Sequence, residues 1–184
     1  MNPLLVDAVR ALRAGGVVAY PTEAVYGLGC DPRDGRAIER IIALKGRPES
    51  SGLILIAAEF SQLAPFLAPL PASLEARATA HWPGPVTWVW PAAPGVAAIL
   101  TGGRDTLAVR VTAHPVARAL CHAFGGALVS TSANRHGADA ARDAAAVRTA
   151  FGSAVDVSVD GPCGGLARPT EIRDVRSGAV LRAG

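Results

Sequence analysis

The sequence predicts an α/β protein, a single domain over residues 1–184 built on a twisted sheet of parallel and antiparallel strands with flanking helices. Three observations predict it. Helix-length amphipathic segments alternate with short β-like runs through the first half. The runs then crowd together with little helix between them, which a purely parallel, doubly wound sheet does not produce. Half of the 184 residues are hydrophobic, enough apolar side chain for one core in a chain of this length.

The elements follow in order. Asn2-Pro3 opens a first helix, with Leu5, Val9 and Leu12 on one face and Gly15-Gly16 as its stop. "VVAY" (17–20) reads as a strand. "DGRAIERIIALKG" (34–46) is a second helix, with Asp34 as N-cap, an apolar face of Ile38, Ile41 and Ile42, and Gly46 just past its end. Helices are also expected over "PASLEARATAHW" (71–82), "HPVARALCHAFGG" (114–126) and "RDAAAVRTAFG" (142–152). Strands are expected over "LILIA" (53–57), "VTWVW" (86–90), "TLAVRV" (106–111), "ALVST" (127–131), "VDVSV" (155–159), "EIRDV" (171–175) and "AVLR" (179–182).

Composition narrows the function classes. No apolar run approaches the roughly 18 residues of a membrane span, and the N-terminus reads as a helix, not a signal peptide. The three cysteines, Cys30, Cys121 and Cys163, are scattered with no C-x-x-C pair. That argues against a disulfide framework or zinc site and for a reducing, cytoplasmic setting. Net charge is +3, and of eighteen basic residues only Lys45 is a lysine. Such a balance suits anionic partners such as nucleotides or RNA.

No P-loop, H-E-x-x-H or G-x-S-x-G pattern is present. Gly27-Leu28-Gly29 is a lone G-x-G, which ordinary turns also carry. Five polar clusters remain, at strand ends or turns, where ligands of α/β sheets sit. "YPTEAVYGLGCD" packs Thr22, Glu23 and Tyr26 into a bend, which a hydroxyl capping its own backbone would also explain. "KGRP" places Lys45 and Arg47 at a helix C-terminus, where a cation complements the helix dipole whatever else it does. "WPGPVTW" looks like a rigid entry loop. In "RDTLAVRV", alternation puts Thr106, Ala108 and Arg110 on one face and Leu107, Val109 and Val111 on the other. Arg110 there either binds an anion or pairs with a carboxylate. In "STSAN", Ser130, Ser132 and Asn134 alternate to one face and could converge on one ligand.

Together and in this order, "GGVVAYPTEAVYGLGCD", "LKGRP", "PGPVT", "LAVRV", "STSAN" and "RPTEIRD…VLRAG" resemble the YrdC-type threonylcarbamoyl-AMP synthases, from about residue 10 to the C-terminus. The resemblance implies a twisted α/β sheet with a large basic cavity. It implies synthesis of threonylcarbamoyl-adenylate and pyrophosphate from L-threonine, bicarbonate (or carbon dioxide) and ATP with Mg²⁺, the product passing to transfer proteins of a tRNA-modification pathway. By motif, Lys45 and Arg47 would hold the ATP phosphates, with Thr106, Ser132, Asn134 and Arg182 on the nucleotide side. Arg110 would clasp the threonine carboxylate, with Thr22, Ser130 and Thr170 lining that end. Two positions depart from longer relatives. Ile56 stands where they carry a histidine near the threonine, and Pro169-Thr170-Glu171 replaces a Ser-Thr-Ile run. No general base for the threonine amine stands out.

Two other classes compete. An arginine-rich binding module for structured RNA would read phosphates and 2′-hydroxyls over an extended surface, whereas "STSAN" is compact. Carbamoyl-adenylate chemistry, as in hydrogenase-maturation carbamoyltransferases, belongs to large chains with zinc-finger regions.

Overall fold

In the computed structural model, residues 3–184 are described, and among them nine strands form one sheet. The chain runs α1 (Pro3–Arg13), β1 (Val18–Pro21), β2 (Tyr26–Gly29), α2 (Gly35–Lys45), β3 (Ile54–Ala57), α3 (Phe60–Leu63), α4 (Ala72–Thr79), β4 (Val86–Pro91), α5 (Ala98–Thr101), β5 (Thr106–Val111), α6 (Pro115–Phe124), β6 (Leu128–Ser132), α7 (Ala144–Phe151), β7 (Val157–Ser158), β8 (Glu171–Asp174) and β9 (Val180–Arg182). The strand order is β7-β1-β2-β6-β3-β5-β4-β8-β9. β3 pairs parallel with β5, β4 with β8 and β1 with β7, while the other neighbours are antiparallel. The mixed sheet anticipated from the crowding of strands is present.

Local chemistry explains the helix boundaries. The Asp34 carboxylate accepts from the amides of Arg36 and Ala37, and Gly46 ends α2 in the left-handed region (φ 61°), where a Cβ would be strained. Asp143 caps α7 by accepting from Ala146 N. The expected start of α1 at Asn2-Pro3 lies partly outside the described residues, since Asn2 precedes them. Two helices are shorter than their patterns suggest: α4 ends at Thr79 rather than Trp82, and α7 covers 144–151.

The bend expected over "YPTEAVYGLGCD" is only half right. Residues 22–25 turn, but Tyr26–Gly29 forms β2, an inner strand. The glycines let it form. A Cβ on Gly29 would sit 2.8 Å from the Tyr20 ring and 2.5 Å from Val129 O. Tyr20, paired with Gly27 across the ladder, thus fills the space of the missing side chains, and its hydroxyl donates to Val129 O at 3.2 Å.

Each face of the sheet has its own core. On one, Leu107, Val109 and Val111 of β5 pack with Ile38, Ile41, Trp88, Trp90, Val147 and Phe151. On the other, α1 and α6 cover Val18, Tyr20, Ile56 and Leu128. That second cover stops short. Beyond Ile56, in the rows of Ile54, Ala108 and Ser130 (register partners), the sheet face opens into a cavity.

Candidate active site

The cavity encloses about 610 Å³, within the range of small-molecule sites. Its floor is the face of β5 that alternation assigned to Thr106, Ala108 and Arg110, continued by Ile54, Ser130 and Ser132. Among the described residues its wall carries four arginines, Arg47, Arg104, Arg110 and Arg182, and no carboxylate. In a partly enclosed, low-dielectric space such a wall favours anions.

The cations fall into two groups. Arg47 Nη1 donates to Thr131 Oγ1 (3.1 Å) and its Nη2 to Gly52 O (2.9 Å). Arg104 donates to Ser50 O (2.9 Å) and Ser51 O (3.1 Å) of the same turn. This pair belongs to the end of the floor marked by Thr106 and Ser132. Arg110 lies four residues from Thr106, about 13 Å along an extended strand. Its Nη1 donates to Thr170 Oγ1 (2.8 Å) and Thr87 Oγ1 (3.3 Å), and its Nη2 to Glu23 Oε2 (3.2 Å). Arg182, expected on the nucleotide side, comes from β9 and donates to Thr170 O at 2.7 Å, so it shares Thr170 with Arg110. Thr22, whose hydroxyl donates to Val25 O (2.7 Å), lines this wall from the β1–β2 turn.

The structure therefore brings together Thr22, Arg47, Thr106, Arg110, Ser130, Ser132, Thr170 and Arg182 on one cavity. Lys45 and Asn134 are not among its lining residues. Alternation along β6 ends at Ser132, so Asn134 does not continue that face as expected. Its Oδ1 instead accepts from Lys45 Nζ (3.1 Å) and Ser132 Oγ (2.6 Å), while its Nδ2 donates to Arg135 O and Ala138 O. The Lys45 ammonium, 5% exposed as a residue, also donates to Ser132 O and Asn134 O. Burial and the neighbouring Arg47 pull its pKa down to about 8, against the three oxygen acceptors, which favour the charged form. Lys45 is thus a helix-end cation that ties α2 to the strand end of "STSAN".

Ile56 does not line the cavity. Although it is in register with Arg110, it is fully buried under α6, where its carbonyl faces Cys121 Sγ. Pro169 and Thr170 line the wall despite their departure from the longer relatives.

Sequence reasoning gives no role to several polar residues in or beside the site, Glu23, Thr87 and Arg104 among them. Glu23 falls in the bend, where nothing local names its partner. It is 7% exposed, and its Oε1 accepts from Thr112 Oγ1 (2.7 Å) and Ala113 N (3.2 Å) while Oε2 faces Arg110. Burial alone would raise its carboxyl, but Arg110, the Thr112 hydroxyl and backbone amides hold it below the ordinary range. Thr87 and Arg104 look like ordinary parts of a strand and a loop. An arginine two residues before a strand with an arginine on its open face is the one available hint.

The model of the Sua5/YciO/YrdC family, described as "Telomere recombination", matches residues 10–184. The chain belongs to this family. A threonylcarbamoyl-AMP synthase of Halorhodospira halophila (strain DSM 244 / SL1) is 65% identical, with 95% of this chain and 92% of that protein covered. One from Alkalilimnicola ehrlichii (strain ATCC BAA-1101 / DSM 17681 / MLHE-1) is 59% identical over 94% of this chain and 91% of its own length. Among solved structures, P. abyssi Sua5 complexed with L-threonine superposes with a TM-score of 0.90 at 34% identity. The match covers 97% of this chain but 53% of that one, so the chain spans about half of that family member. Among the described residues no helix is long and apolar enough to cross a membrane.

Proposed function

We propose that this chain is a threonylcarbamoyl-AMP synthase: it makes L-threonylcarbamoyladenylate from L-threonine, bicarbonate (or carbon dioxide) and ATP, releasing pyrophosphate. The observation that carries the reading is the carboxylate-free wall with Arg47 and Arg104 holding one turn and Arg110 and Arg182 both holding Thr170. Two anionic ends must be held there at once, the amino-acid carboxylate and the triphosphate.

Arg110 takes the threonine carboxylate, with Thr22, Ser130 and Thr170 around it. Arg47 takes the phosphates, with Thr106 and Ser132 beside it, and Arg182 closes the wall from β9. The neutral threonine amine condenses with bicarbonate to give an N-carboxylate and water, or adds to carbon dioxide with release of a proton. One of its oxygens attacks the α-phosphorus, forming a P–O bond as the bond to the β-phosphate oxygen breaks. Charge gathers on the departing pyrophosphate, where a fixed guanidinium stabilises it more than it stabilises bound ATP. Lys45 joins the phosphates by exchanging one of its three oxygen partners, which a rotatable ammonium can do. Until then it holds Ser132 and Asn134 in place. Mg²⁺ enters as part of the nucleotide substrate: the wall is cationic and hydroxylic, and among the described residues no group of three His, Cys, Asp or Glu could hold a metal.

The product feeds threonylcarbamoyl-transfer proteins acting on tRNA in the cytoplasm. Weak RNA contact would use the arginines around the cavity mouth.

The test is pyrophosphate release by purified protein with MgATP and bicarbonate, with and without L-threonine. Threonine-dependent release, lost when serine replaces threonine, supports the reading. Release independent of threonine would point to carbamoyl-adenylate chemistry. No release, together with RNA binding that falls steeply with salt, would favour the binding module.

A further inference from the structure

Arg110 is 5% exposed, and its guanidinium is held from three separate elements. Nη1 spends its two hydrogens on Thr170 and Thr87, from the segment before β8 and from β4, and Nη2 spends one on Glu23, from the β1–β2 turn. A guanidinium has five N–H donors. The two left over are Nε–H, which is buried with no protein partner, and one hydrogen on Nη2. Arg110 lines the cavity wall, so the spare Nη2 donor is the one left for a carboxylate.

Glu23 is held as firmly as the arginine it faces. Oε1 accepts from the Thr112 hydroxyl and the Ala113 amide, and the same hydroxyl accepts from His114 N at 3.1 Å. From above, Leu166 N donates to Glu23 O (3.0 Å) and Gly164 N to Thr22 O (2.9 Å). The loop lies so close that a Cβ on Gly164 would come within 3.0 Å of Glu23 Cα. Glu23 is outside the cavity wall, so its action on a ligand runs through Arg110.

We infer that Glu23 is a positioning residue for the reaction: it fixes Arg110 at the amino-acid end of the cavity, in the orientation that meets the threonine carboxylate. The inference rests on the synthase reading above. Two physical needs meet in it. A buried guanidinium with no counter-charge is costly while the cavity is empty. An arginine with freedom to move would also be drawn to the triphosphate, which carries more charge than threonine, and the two anion sites would merge. Glu23 holds them apart.

The experiment compares steady-state pyrophosphate release in wild type, Glu23→Gln, Arg110→Ala and the double variant, with thermal melts of each. Glu23→Gln keeps an acceptor for Thr112 and Ala113 but puts a neutral amide against Arg110. The expected result is a KM for threonine raised about tenfold to a hundredfold, the scale of a misaligned charged hydrogen bond, with the KM for ATP unchanged. On the Arg110→Ala background, Glu23→Gln should add nothing, because the arginine it acts through is gone. An unmoved threonine KM beside a lowered Tm means Glu23 only supports the fold, and overturns the inference. An equal rise on both backgrounds means Glu23 touches threonine directly, and overturns it too. If Glu23→Gln does not fold, Thr112→Val frees Oε1 with the ion pair kept. A raised threonine KM supports the inference there, and an unmoved one overturns it. Wild type that releases no pyrophosphate with threonine overturns the synthase reading itself, a result distinct from wild-type turnover with an unmoved KM in the variant.

Discussion

Replacing Arg110 with alanine should make the Glu23 contribution to stability fall as pH rises above about 4.5, where in the wild type it is constant. In the wild type the Glu23 carboxyl sits below its ordinary value. The unfolded chain therefore binds more protons only around and below its own pKa, and the pair's contribution to stability is present in full above the unfolded pKa and lost as pH falls through the folded one. In Arg110→Ala the raising effect of burial is no longer opposed by the guanidinium. The folded state then prefers the protonated carboxyl, its pKa rises above the unfolded value, and stability falls as pH rises. Breaking a buried pair by removing one partner costs about 3–5 kcal/mol, here with Thr112 and Ala113 still bonded to Glu23, so the lower end applies near neutral pH. For a domain of this size that is a Tm lower by roughly 6–12 °C, at 2–4 °C per kcal/mol. The gap should shrink towards pH 4.5, where the carboxyl carries its proton. Thermal melts by circular dichroism at half-unit pH steps would measure it. Adding Glu23→Gln to Arg110→Ala should recover most of the lost stability at pH 8. Parallel Tm curves for wild type and Arg110→Ala, or a double variant no better than the single one, would refute the buried-pair argument.

Lys45→Ala should cut threonine-dependent pyrophosphate release at least about 100-fold, the scale of losing one group that stabilises developing charge; near-normal turnover would remove Lys45 from the site. Because burial lowers the pKa of the ammonium to about 8 and bound phosphates would raise it, ATP binding near pH 8 should take up a fraction of a proton. Calorimetry in buffers of different ionisation enthalpy would read it, and the uptake should vanish in Lys45→Met. Gly29→Ala should cost about 1–3 kcal/mol in urea unfolding by overpacking, since the new Cβ would meet Val129 O and the Tyr20 ring, and an unchanged midpoint would count against this account of β2.

The parts of the site that sequence made legible are those set by local period. Alternation in "TLAVRV" placed Thr106 and Arg110 on the open face and Leu107, Val109 and Val111 in the core, as the structure has them. Asp34 and Gly46 marked the ends of α2 by capping chemistry alone. What stayed hidden was set by distance along the chain. Glu23 and Arg110 are 87 residues apart, and no local pattern tells a turn glutamate that caps its own backbone from one that crosses to another strand. β2 was hidden differently. "YGLG" has poor strand propensity, and its place between β1 and β6, with the Tyr20 ring over its glycines, makes a strand of it. Asn134 misled because its alternation with Ser130 and Ser132 runs one step past the end of β6.

The single lysine among eighteen basic residues becomes intelligible from the acceptors around it. Three oxygens, Ser132 O, Asn134 O and Asn134 Oδ1, converge on one small space that leaves the residue 5% exposed. A tetrahedral ammonium presents three donors to such a cluster. A guanidinium would spread its donors in a plane, which does not match three acceptors converging on one point. Two residues on, Arg47 faces the opposite case: its Nη1 and Nη2 reach Thr131 Oγ1 and Gly52 O separately, which a planar fork spans and an ammonium does not. Acceptor geometry thus selects each cation, and both choices serve the same end of the cavity. Arg47 keeps donors free towards the wall it lines, while Lys45 holds the turn from beneath, with a charge that burial has made easy to lose. Under the synthase reading, a lysine in that position would sense an arriving polyphosphate more strongly than an arginine could, because its protonation, and not only its position, would respond to the new negative charge.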